Sequence, residues 1–318
     1  MDEDPWIDDL RLEIGGTKFI ATSLPLGAVG DQFVIVKPPE LVRRYLSLFD
    51  RERPRRIVEL GIKDGGSTAL IALAAEPDIF LAADLESDIP LLLAQLIDTH
   101  QLGDRVITRF GLDQGDRAAL TGFVRSHMPE GEIDLVVDDA SHILGPTRTS
   151  FEVLFPRLRP GGLYIVEDWS AECIAAGYLA RALPGVDDFD DRLGAVNQVL
   201  HILNAPDHEL PDGVVASMAD VAAKPGDGDA AARDVFERIV GVAGHADLRA
   251  LDQATLGRSR PLADLAVELM MISTTNPEIV SEVRTDGEWL TARRGTADLP
   301  PDTFRLDECW SDFFGYLS

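Results

Sequence analysis

Residues 138–170, DDASHILGPTRTSFEVLFPRLRPGGLYIVEDWS, place Asp138, Asp139 and His142 after one apolar run and Glu167 and Asp168 after the next. Like charges brought together repel unless something cationic sits between them. Three carboxylates, Asp139, Glu167 and Asp168, match a hard divalent cation such as Mg2+, with Mn2+ as a substitute, which takes oxygen ligands and leaves positions for water or substrate oxygens. A hydroxyl held there becomes more acidic, and His142, three residues past Asp139, is placed to remove its proton as a general base. Each group also has a purely structural use. His142 can start a helix, Glu167 and Asp168 can cap one, and Asp138 can satisfy backbone donors. Asp138 ranks as support on the cofactor side rather than as a metal ligand.

A second set of polar groups precedes these. ELGIKDGGST, residues 59–68, leaves an apolar run and enters a helical pattern, so Gly61, Gly65 and Gly66 stand where backbone turns sharply and a ligand can come close. The pattern is not GxGxxG and lacks the Lys-Ser/Thr ending of a P-loop, so tight phosphate cradling is not expected. Asp84 closes the next strand, where a carboxylate can take two hydrogen bonds from ribose hydroxyls, and Asp113 and Gln114 follow the third, where an adenine edge would lie. Glu59 beside the glycine loop disfavours a pyrophosphate and suits an ammonium or sulfonium, which points away from NAD and towards S-adenosylmethionine. Ser67, at the helix start, is grouped with these cofactor-binding residues.

Elements that alternate regularly must position both sets. The spacing predicts strands at 55–60, 79–83, 105–110, 133–138 and 162–167, with helices near 66–75, 88–101, 115–127 and 147–157 between them. Such alternation means a parallel sheet covered by helices on both faces, with ligands outside the carboxyl ends of the strands. EIVSEVRT and EWLTARRG flank Asp286-Gly287, a two-residue hairpin signal, so an antiparallel hairpin closes the sheet. Upstream, LRLEIGGTKFIATSL reads as a hairpin around Gly15-Gly16, and PPELVRRYLSLF as a helix opened by prolines. The expected organisation is an N-terminal hairpin segment (1–40) for substrate or oligomer contacts and a main domain (41–295) with a helical insertion at about 171–260. A C-terminal extension (296–318) follows. AECIAAGYLARALP, AARDVFERIVGVAG and PLADLAVELMMI look helical, the last as part of the core.

Acids outnumber bases 55 to 29, for a formal charge of -26 and a pI near 4.4, so phosphate backbones and anionic lipid are poor partners. The opening MDEDPWIDDL has neither a basic n-region nor an apolar h-region, and no apolar run reaches the roughly 20 residues of a membrane span. A cytoplasmic location is expected. Cys173 and Cys309 lack metal-ligand spacing and read as ordinary thiols.

Taken together, ELGIKDGGST, DLE, LDQGD, VVDDASH and RPGGLYIVEDW resemble the metal-dependent deoxysugar O-methyltransferases of macrolide pathways, and more loosely the cephalosporin-hydroxylase and rhamnosyl methyltransferase relatives. The resemblance covers about residues 55–170 and the closing hairpin. It implies a Rossmann-like class I methyltransferase fold with a mostly parallel seven-stranded sheet, S-adenosylmethionine, and Mg2+ held by Asp139, Glu167 and Asp168. His142 would be the base, a sugar of a natural product or glycan the acceptor, and the assembly a homo-oligomer. Catechol-type methyltransferases share the metal logic but carry Asp-Asn where this chain has Glu167-Asp168, and a Lys near the position of His142. A catechol-like enzyme acting on an aromatic diol and a non-catalytic S-adenosylmethionine-binding protein are the alternative functions.

Overall fold

The structure is a computed structural model that describes residues 4–22, 29–128, 132–169 and 262–310. Its centre is β4 (Arg56–Leu60), whose RIVEL run is buried along four of five positions. Strands β5 (Ile79–Ala83), β6 (Val106–Arg109), β7 (Ile133–Asp138) and β8 (Leu158–Glu167) join it in parallel, in the order β6-β5-β4-β7-β8. The hairpin β9 (Val280–Thr285) and β10 (Trp289–Arg294) completes seven strands, β10 pairing antiparallel with β8. This is the mixed seven-stranded sheet expected of a class I methyltransferase.

Strand side chains alternate between faces, so neighbouring residues feed two cores. Ile57, Phe80, Ala82, Leu135 and Val137 pack under α1 (Pro39–Glu52), α2 (Gly66–Ala74) and α3 (Leu91–Thr99). Val58, Leu81, Ala83 and Val136 pack on the other face under α4 (Arg117–His127), α5 (Leu144–Leu154) and α6 (Ala263–Thr275). Leu265, Ala266, Leu269 and Ile272 of α6 recur at helical spacing, which turns one stripe of that helix onto the sheet. Among the described residues no helix is long and apolar enough to cross a membrane.

Three elements differ from expectation. Helix α5 begins at Leu144, ahead of Pro146, because a proline in the first turn lacks an N–H that would have had no helical partner anyway. Strand β8 begins at Leu158 and runs through Gly161-Gly162. The N-terminal segment is more than a hairpin: β1 (Arg11–Ile14) and β2 (Thr17–Ala21) turn on Gly15 and Gly16, both at positive φ, and β3 (Phe33–Ile35) pairs in parallel with β2. Leu12, Phe19, Phe33 and Ile35 enter the same core as α1 and α2. The expected helices between about 171 and 260 lie outside the described residues.

Candidate active site

The tips of β4, β5, β7 and β8 meet at one end of the sheet, where the strand order reverses and such folds bind ligands. Asp139, just past β7, is tied to β4 by its N–H on the Leu60 carbonyl (2.9 Å). A Cβ on Gly61 would lie 2.1 Å from the Asp139 carbonyl oxygen, so glycine there is required by the approach of two strand tips. Asp168, past β8, donates its N–H to Glu288 O (2.9 Å). His142 and Asp168 both hold left-handed backbone, φ 51° and 52°, a conformation that His and Asp adopt more readily than most side chains. Ligand atoms of Asp139, His142 and Asp168 all lie within 4.8 Å of one another, with His142 Nε2 3.8 Å from Asp139 Oδ1. The carboxylates of Asp139 and Asp168 are oxygen donors of the kind a hard divalent cation takes, and the His142 imidazole stands beside them. Burial and the neighbouring Asp139 charge push the Asp168 carboxyl up, against the pull of His142.

Glu167 is placed differently. Its Oε2 accepts from Lys37 Nζ (2.8 Å), which also donates to Asp139 Oδ2 (2.6 Å), and its Oε1 accepts from the Tyr45 hydroxyl. The cation found between Asp139 and Glu167 is thus an ammonium. Both oxygens of Glu167 are thus engaged by Lys37 and Tyr45, and the group whose ligand atoms all lie within 4.8 Å of one another comprises Asp139, His142 and Asp168. Burial and Asp139 raise the Glu167 carboxyl to about 7, against the attraction of Lys37. For Lys37, burial works to lower the pKa, but Asp139 and Glu167 outweigh it and the group is raised. Sequence reasoning missed Lys37 and Tyr45. Tyr45 sits on the buried face of α1, and Lys37 follows the buried run of β3 directly ahead of two prolines, a place where an isolated charge stands out.

The cofactor side is more internally satisfied than expected. Asp84 Oδ2 accepts from Ile62 N (2.6 Å) and Lys63 N (2.8 Å), and Oδ1 from Glu86 N (2.8 Å), so the carboxylate braces the glycine loop. Three of about four acceptor positions are occupied, leaving room for one ribose hydroxyl rather than two. Gln114 and Asp138, expected near a nucleoside, are buried and bound to each other (3.1 Å); Gln114 also accepts from Ser141 N, and Asp138 from Ser150 Oγ (2.6 Å) and the Tyr164 hydroxyl (2.8 Å). Burial raises Asp138, with Ser150, Tyr164 and Gln114 opposing. Asp113 is exposed and accepts from Gly115 N (2.7 Å). Of the loop glycines, Gly65 holds φ 83° and Gly66 lies against β3, where a Cβ would sit 2.0 Å from Val34 O. Glu59 is fully buried; Oε2 accepts from Thr68 Oγ1 (2.6 Å). The Ser67 hydroxyl lies near enough to favour its ionised form, yet Oε1 has no partner of hydrogen-bonding geometry. Trp169, half-buried beside Asp168, donates its indole N–H to Asp286 O (2.7 Å).

No family model matches the chain. It is 39% identical over 115 residues to demethylmacrocin O-methyltransferase of Streptomyces fradiae, covering 36% of this chain and 27% of that one. It is 50% identical over 77 residues to mycinamicin VI 2''-O-methyltransferase of Micromonospora griseorubida (24% and 18%), and 30% identical over 182 residues to L-olivosyl-oleandolide 3-O-methyltransferase of Streptomyces antibioticus (55% and 42%). These relatives are O-methyltransferases. Each match spans less than half of the relative's own length. Among solved structures, a methyltransferase of the mycinamycin pathway in complex with Mg, SAH and mycinamycin VI aligns over 81% of this chain and 49% of that one, at 18% identity and a TM-score of 0.40.

Proposed function

We propose that the chain is an S-adenosylmethionine-dependent, Mg2+-assisted O-methyltransferase acting on a sugar hydroxyl of a glycosylated natural product. The observation that carries this reading is the meeting of Asp139, His142 and Asp168 at adjacent strand tips, in a chain whose relatives are O-methyltransferases. Asp139 and Asp168 would hold the cation. Asp84, Asp113 and the loop from Gly61 to Ser67 would receive the nucleoside, and the buried, half-satisfied Glu59 underlies that loop. S-adenosylmethionine supplies an electrophilic methyl on a sulfonium, and Mg2+ supplies charge that makes a nearby hydroxyl more acidic. His142 receives the acceptor proton. On this reading the acceptor oxygen would bond to the methyl carbon as the carbon–sulfur bond broke, with the neutral thioether as leaving group and the acceptor proton passing to His142. The same reading takes the enzyme as a cytoplasmic homo-oligomer.

The test is a panel of macrolide and tetracenomycin glycosides set against catechols, with S-adenosylhomocysteine release as the readout. Turnover of a glycoside that stops with EDTA and returns with Mg2+ or Mn2+ is the expected result. Turnover of catechols alone would move the chain to the aromatic-diol class. Activity indifferent to verified removal of metal would end the metal mechanism, and tight cofactor binding without turnover of any acceptor would favour a binding protein.

A further inference from the structure

Asp168 lies one residue past β8 in left-handed backbone, φ 52°, so the ladder that sets Glu167 opposite Trp289 does not by itself aim its carboxylate. The turn that joins β9 to β10 supplies what the ladder lacks. Glu288 O accepts the Asp168 N–H (2.9 Å), and Asp286 O accepts the indole N–H of Trp169 (2.7 Å). Asp168 is therefore held through its own backbone and through the side chain of its neighbour. The turn is itself fastened. Asp286 Oδ1 accepts from Glu288 N and Trp289 N (both 2.9 Å), and Asp286 N bonds to Trp289 O (3.0 Å). Arg44 of α1 donates to both carboxylate oxygens of Asp286, at 2.7 and 3.3 Å, with its guanidinium carbon 4.1 Å from the centre of the Trp289 ring. An ion pair as exposed as Arg44–Asp286 adds little to global stability, so the turn can be perturbed in a folded chain.

We propose that Trp169 and Asp286 are positioning residues for Asp168: the indole tether and the capped turn together set the direction in which the tip of β8 presents that carboxylate. The inference rests on the metal site of the preceding reading, in which Asp168 is a ligand. Neither residue belongs to the group of ligand atoms itself. Partners that orient a ligand without touching the ion change metal affinity when they are removed, by roughly 10- to 100-fold. A turn that merely closed the hairpin would affect stability and leave that affinity alone.

Mn2+ binding by the full chain, without cofactor or acceptor, tests this by electron paramagnetic resonance of the free ion in wild type, Trp169→Phe, Asp286→Ala and Asp286→Asn. Phenylalanine keeps a ring and deletes the tether. Asparagine loses the charge but keeps an oxygen for the Glu288 and Trp289 N–H groups, whereas alanine loses both. Trp169→Phe and Asp286→Ala are expected to bind Mn2+ roughly tenfold more weakly or worse, and Asp286→Asn to stay within about threefold of wild type. Folded Trp169→Phe or Asp286→Ala with wild-type affinity overturns the proposal. So does Asp286→Asn as weak as Asp286→Ala, which would trace the loss to charge rather than to the turn. Should Asp286→Ala fail to fold, Trp169→Phe still decides, because it removes one N–H from a half-buried side chain. Wild type that binds no Mn2+ would sink the metal mechanism and this inference together; wild-type binding with unaffected variants sinks this inference alone.

Discussion

Glu59→Gln should change how the stability of the metal-free protein depends on pH. Glu59 is fully buried on β4; burial raises its carboxyl from 4.5 to about 8, with the Ser67 and Thr68 hydroxyls and the Lys37 charge opposing and Asp139 adding to the rise. Because the folded pKa exceeds the unfolded one, the native state binds a proton that the unfolded chain has already released. The associated stability is complete below about pH 4.5 and is lost as pH climbs towards about 8. The shift corresponds to about 5 kcal/mol when fully developed, an upper figure because a relaxing interior would lower it. Glutamine has the same shape and no ionisation. Its amide leaves a donor where Oε1 lacks a partner, a cost of about 1–3 kcal/mol that does not vary with pH. Urea unfolding at about pH 5, 7 and 9 separates the two effects, since the offset belongs to the amide and the slope to the carboxyl. The variant should gain on wild type by several kcal/mol between the lowest and highest pH. Parallel stability curves would refute the reasoning and show that Glu59 ionises in the native state near its ordinary pKa.

Tyr164→Phe removes a donor from the buried Asp138 and should cost about 1.5–3 kcal/mol in urea unfolding, with no effect on Mn2+ affinity. Gly66→Ala sets a methyl 2.0 Å from Val34 O and should cost about 1–3 kcal/mol, whereas Gly122→Ala, which meets nothing within 4 Å on α4, should be neutral or stabilising. For the base, His142→Asn is preferable to alanine because asparagine tolerates the left-handed backbone at φ 51°. Its kcat should fall roughly 10²- to 10⁴-fold with Mn2+ binding retained, and a variant with wild-type kcat would assign the proton to another group.

The alternation of apolar runs and helical spacing carried most of the sheet, because buried parallel strands and their covering helices leave periodic signals within a few residues of each other. Asp286-Gly287 marked the hairpin for the same local reason. The meeting of Asp139, His142 and Asp168 was legible because consecutive parallel strands end on the same side. What the sequence hid was non-local. Lys37 and Tyr45 reach Glu167 across more than a hundred positions, and nothing near Glu167 announces that an ammonium lies against it. Gln114 and Asp138 look like ligand-facing residues when counted as strand-tip polar groups. They bond to each other because a buried polar atom takes whatever partner the fold supplies, and α5 supplies Ser150 beside them.

The small sheet β1-β2-β3 bears on how the chain can be divided. A recombinant catalytic fragment started at α1, where the regular helix–strand repeat begins, would keep every strand of the large sheet and every residue of the Asp139–His142–Asp168 group. It would still discard the ammonium that lies between Asp139 and Glu167, and would strip Phe19, Phe33 and Ile35 from one core. Chimeras that graft the front of a relative onto this chain would exchange an active-site charge along with what looks like packaging. Splice points for such work therefore belong upstream of β1, at about residue 10, rather than at the prolines that open α1.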